Sequence, residues 1–126
     1  GAGAQREEKL RLLSNRAECC LKLGRWSEAV ESATAALRLD GAHAKSLLRR
    51  AKARLLLEAD GKARRKALER AAADAKAVIS ARGEGVDSAA ALLKQIKTQQ
   101  RNLDEVATRG FRSGFAKALG GGGGGG

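Results

Sequence analysis

The chain of 126 residues has no proline, no tyrosine and no methionine, and its only aromatic residues are Trp26, Phe111 and Phe115. With no proline, helix ends must be set by other residues. Alanine and leucine supply 43 of the 54 apolar positions, whereas strands draw on Val, Ile, Thr and aromatics; a sheet is excluded as the main structure and an all-α fold is expected. The missing methionine leads to the expectation that the chain is a processed product or a piece of something longer. Only two cysteines occur, and as immediate neighbours Cys19 and Cys20 cannot build a disulfide framework, so a reducing, cytoplasmic setting is expected. No apolar run approaches the roughly 20 residues that cross a bilayer. Glycine is concentrated at the ends: seven of the 16 form the run Gly120 to Gly126, which is expected to be a disordered tail.

Groups suited to catalysis are also scarce. The single histidine, His43, lies between helical segments, where a surface or turn role is expected, and no second His or Cys–His spacing supplies a metal set. Cys19 and Cys20 point about 100° apart on one helix, so at most one faces the core. No phosphate loop or serine-nucleophile motif appears. No cofactor, metal or enzymatic activity is expected. What the chain does have is positive charge: 25 Lys and Arg against 14 Asp and Glu give a formal +11, which favours an acidic partner.

Glycine and acidic breaks divide the sequence into helical segments, expected at about 5–23, 26–39, 42–57, 62–81 and from 87 or 88 to at least 108. Gly110 and Gly114 weaken the last turns of the fifth. The first unit spans Leu10 to His43, 34 residues, the length of one tetratricopeptide unit. Within it SNRAECCLKLGRWSEAVESATAALRLD resembles the tetratricopeptide pattern: small Ala17 at the helix crossing, Gly24 at the turn, Trp26 just after it, then Ala29, Ala36 and Leu37. Ala33, where a bulkier residue is common, and Gly41, where proline is usual, depart from it. A second unit, residues 44–82, begins with KSLLRRAKARLLL and has Ala51 at the position of Ala17 plus 34. AAADAKAVI resembles EAVESATAAL, but Ala71 follows Ala29 by 42 residues, so eight have been inserted near residues 58–65 as a longer loop or an extended helix start. The resemblance implies a short superhelix of antiparallel helix-turn-helix repeats, a C-terminal capping helix at residues 87–119, and residues 1–9 as the end of a truncated preceding helix or a linker.

Stacked repeats set equivalent positions side by side along a groove. Asn15 plus 34 is Arg49, and Lys45 lies one helical turn before Arg49 on the same face. An amide, a guanidinium and an ammonium that converge in this way suit a peptide's terminal carboxylate. Here the resemblance sharpens: SNRA, with Asn15, and KSLLRRA, with Lys45 and Arg49, are similar to the motifs of chaperone-binding tetratricopeptide domains. Those domains grip the acidic C-terminal tails of the seventy- and ninety-kilodalton heat-shock proteins. The resemblance implies a partial carboxylate clamp of Asn15, Lys45 and Arg49, Arg50 and Lys52 being weaker candidates for an outer positive rim, and a preceding repeat that would contribute another Lys and Asn.

Other readings compete. A general repeat scaffold with no chaperone specificity fits the same helices. The segment from Lys45 to Arg70 carries ten basic and three acidic residues but no aromatics for stacking, which argues against nucleic acid as the partner. KARRK at residues 62–66 keeps a nuclear setting open. Lys94, Lys97, Arg101, Arg109, Arg112 and Lys117, with Leu103, Val106, Phe111 and Phe115, form a basic amphipathic stretch of the sort that calmodulin or a membrane surface holds. The same stretch resembles the closing helix of large immunophilins, which implies the alternative of a targeting module in a prolyl isomerase.

Overall fold

A computed structural model describes the backbone of residues 1–124 and the side chains of residues 1–115 and 117–119. Five helices follow one another: α1 (Ala2–Lys22), α2 (Trp26–Leu39), α3 (Ala44–Leu56), α4 (Gly61–Ala81) and α5 (Val86–Gly124). Each packs antiparallel against the next, and α3 also touches α1 and α5. The odd-numbered helices therefore neighbour one another in one layer, with α2 and α4 behind them.

Backbone chemistry explains where the helices stop. Gly24, at φ +73°, follows α1 in the left-handed region. The Arg25 N–H donates to Cys20 O at 2.8 Å and the Gly24 N–H to Leu21 O at 3.1 Å, the paired bonds of a Schellman cap. Two other helix ends are closed by distant arginines. Arg6 on α1 donates to Leu39 O at the end of α2, and Arg64 on α4 donates to Leu55 O at 2.6 Å and Leu57 O at 3.2 Å at the end of α3. Both satisfy carbonyls that a helix terminus leaves without partners.

Arg64 belongs to the segment read as an insertion. The link from α3 to α4 has four residues against three between α1 and α2, and α4 has 21 residues against 14 for α2. One extra linker residue and seven extra helical residues account for the eight. Arg64, in the first turns of α4, caps α3.

Burial is dominated by small side chains. Ala17, Ala29, Ala33, Ala36, Ala51, Ala53, Ala71, Ala75 and Ala89 are all fully buried, so helix backbones approach closely at the crossings. The larger members of the main core are Leu47, Leu55, Leu68, Val78 and Ile96; Cys20, Leu21, Ala29 and Ala53 form a second cluster, against which Trp26 and Val30 pack. Cys20 is the inward-facing thiol and Cys19 is exposed. Gly85, at φ +84°, makes the turn between α4 and α5, and a Cβ there would meet Leu48 Cδ1 at 3.0 Å.

α1 begins at Ala2, before the expected Gln5, and α5 passes through Gly110 and Gly114. Without proline each further residue adds one hydrogen bond to an established helix, which offsets the weak propensity of isolated glycines. The helix includes Gly120 to Gly124, where a disordered tail was expected. That expectation at Gly125 and Gly126 lies outside the described residues. Among the described residues no helix is long and apolar enough to cross a membrane.

Candidate functional site

Between α1 and α3 lies a cleft of about 220 Å³ whose lining includes Asn15, Lys45 and Arg49. Asn15 comes from the middle of α1, and Lys45 and Arg49 from the first two turns of α3. The expected trio is thus gathered in one place. Sequence reasoning missed three further titratable groups in the lining, Glu7, Arg11 and His43. Helical spacing could have found two of them, since Glu7 and Arg11 precede Asn15 by eight and four residues on one face.

The three expected donors differ in availability. Asn15 and Lys45 are exposed, whereas Arg49 is only partly so, at 18% of its side chain. Arg49 Nε donates to Glu18 Oε2 at 3.0 Å, and Nη1 donates to Ser14 O at 2.9 Å and Ser14 Oγ at 2.8 Å. Its charge is paired, and two of its nitrogens already serve α1. Neither Arg11 nor Lys45 has an ion-pair partner among the described residues.

Beneath the cleft a polar chain joins the two helices. Ser14 and Ser46 are buried, Ser46 Oγ donates to Ser14 Oγ at 3.0 Å, and His43 Nδ1 sits 2.7 Å from Ser46 Oγ. Which of His43 Nδ1 and Ser46 Oγ donates follows the imidazole tautomer. Every member is satisfied, so this network fixes how α1 lies against α3 at little cost.

Arg50, expected on a positive rim, is instead turned toward α4. Its Nε and Nη2 donate to the two oxygens of Asp74, each at 2.8 Å, and Arg54 Nη1 donates to Asp74 Oδ2 at 3.0 Å. A third bond from Arg50 reaches Thr34 Oγ1 on α2. Asp74 is buried, and without these guanidiniums its carboxylate would be an uncompensated buried charge. Burial holds the Arg54 guanidinium below its ordinary pKa, opposed by Asp74. Lys52 is exposed one turn beyond Arg49 and lies outside the lining of the cleft.

A larger groove lies elsewhere, about 600 Å³ along α4 and α5, with Ile79, Leu93, Lys94, Lys97 and Arg101 in its lining. Beyond it Phe111 and Phe115 stack with ring centroids 6.0 Å apart, both exposed, so neither packs back onto the bundle. This groove also gathers donors, Lys94, Lys97, Gln100 and Arg101, but they come from the single helix α5, whereas the cleft draws Asn15 from α1 and Lys45 and Arg49 from α3. No family model matches the chain, and a search of curated proteins finds no match to it.

Proposed function

We propose that the chain is a protein-interaction module of the tetratricopeptide type, the C-terminal portion of a co-chaperone domain. In this reading its cleft takes the terminal carboxylate of an acidic peptide tail such as those of the seventy- and ninety-kilodalton heat-shock proteins. One observation carries the reading: Asn15, Lys45 and Arg49, from two helices, line one cleft. Burial recurring at fixed offsets supports the repeat. α1 and α3 end at residues 22 and 56, which are 34 apart, and Ala17 and Ala51 are both fully buried at that offset. In α2 and α4 the offset is 42, and the pairs Ala29 and Ala71, Ser32 and Asp74, and Ala33 and Ala75 are all buried.

A titration of the chain with an acidic peptide, free or amidated at its C-terminus, tests the proposal. Binding that needs the free carboxylate and weakens about tenfold in Lys45→Ala is expected, from the loss of one charge-assisted hydrogen bond. Equal binding of both peptides, or of neither, refutes it. One observation favours a second reading, a scaffold without carboxylate specificity: Glu18 already neutralises Arg49. Equal, measurable binding of free and amidated peptides is the result that reading expects.

A further inference from the structure

We infer that Arg11, with Lys45, supplies the free positive charge of the cleft, and that Arg49 is a positioning residue which holds α1 against α3. This rests on the carboxylate-binding reading above and assigns its electrostatics to different side chains. Three observations lead to it. Arg11 lines the same cleft as Asn15, Lys45 and Arg49, one helical turn before Asn15 on α1. It is exposed and has no ion-pair partner among the described residues. Arg49 is committed through Nε to Glu18 and through Nη1 to the hydroxyl and carbonyl of Ser14.

An incoming carboxylate therefore meets two unequal classes of cation. To recruit Arg49 it must compete with a carboxylate already 3.0 Å from the guanidinium. Arg11 and Lys45 need only shed water. They also reach the cleft from opposite walls, one on each helix, with the Asn15 amide beside Arg11. The guanidinium of Arg11 presents a planar fork that meets both oxygens of a carboxylate at once, whereas Lys45 acts as a point charge. Glu7, one turn before Arg11 and also in the lining, opposes the ligand and sets the local affinity lower than the cations alone would give.

The test is a fluorescence-anisotropy titration of the full chain at low salt with an acidic peptide bearing a free C-terminus. Wild type is compared with Arg11→Ala, Arg11→Lys, Glu7→Gln, Arg49→Ala and, as a control on the far side of the bundle, Lys76→Ala. Arg11→Ala is expected to weaken binding about tenfold with unchanged melting temperature; Arg11→Lys recovers part of the loss, and Glu7→Gln tightens binding about threefold. Arg49→Ala is expected to lower the melting temperature, and Glu18→Gln, which frees the guanidinium, to restore binding to Arg11→Ala. A wild-type chain that ignores the peptide overturns the carboxylate reading and this inference together. If wild type binds and Arg11→Ala binds within twofold of it, the inference alone falls. So does it if Arg49→Ala abolishes binding while melting as wild type.

Discussion

The Asp74 carboxylate gives the sharpest test of how the bundle is held together. It is 5% exposed and accepts three hydrogen bonds from Arg50 and Arg54, whose side chains are themselves only 18% and 17% exposed. Asp74→Ala leaves two guanidiniums facing each other in a partly dry site with no counter-charge. Removal of one partner from a buried pair costs about 3–5 kcal/mol. A domain of this size has a total stability of roughly 6–15 kcal/mol, so about a fifth or more of it would go. At roughly 4 °C per kcal/mol, the melting temperature should fall by about 12–20 °C. The assay is urea unfolding followed by circular dichroism at 222 nm, with Glu18→Ala as an internal comparison. Glu18 also pairs with an arginine at 3.0 Å but is 37% exposed, and solvent screening limits its loss to about 1 kcal/mol or less. If Asp74→Ala costs no more than Glu18→Ala, the claim that burial decides the worth of these pairs is wrong.

Gly85→Ala combines a left-handed φ with a 3.0 Å approach to Leu48 Cδ1 and should cost about 2–3 kcal/mol, while Gly83→Ala, with open space around it, should be near neutral; chemical denaturation of both decides this. Arg82 closes α4 at φ +55°, so Arg82→Gly is expected to stabilise by about 0.5–1 kcal/mol, and a lower melting temperature would contradict it. Ser32 Oγ is buried with no hydrogen-bond partner, so Ser32→Ala should be neutral or stabilising by up to about 1 kcal/mol in urea titrations; a clear loss would mean that the hydroxyl has a partner in solution.

The sequence made the helices easy to place because alanine and leucine mark the buried stripe of each. Gly24 marks the first turn, and α2 begins and ends where its periodicity does. The cleft trio was legible too, since Lys45 and Arg49 share a helix face and Asn15 follows from the 34-residue offset. Pairing was not. Glu18 stands 31 residues from Arg49, and Asp74 stands 24 from Arg50; nothing in either local pattern says which arginine will be neutralised. Arg50 and Lys52 look alike in sequence, yet they sit on different sides of α3, and only contact with α4 turns one of them inward. The segment at residues 58–65, open in sequence to a longer loop or an extended helix start, is divided between the linker and the start of α4, because α4 begins at Gly61. Gly110 and Gly114 lower helix propensity without forbidding helical backbone, and α5 runs through both.

The serine pair beneath the cleft also has a mechanical consequence. The first hairpin meets the second through alanines and through Leu37, which packs against the core around Leu47. Ser14, Ser46 and Arg49 add a polar pin between the first hairpin and the second. A ligand held from both walls of the cleft would add a second pin in parallel, and α1 would then exchange its amide hydrogens more slowly when the cleft is filled. Binding at this place would be read as stiffness of the joint between hairpins, even where the shape of the bundle does not change.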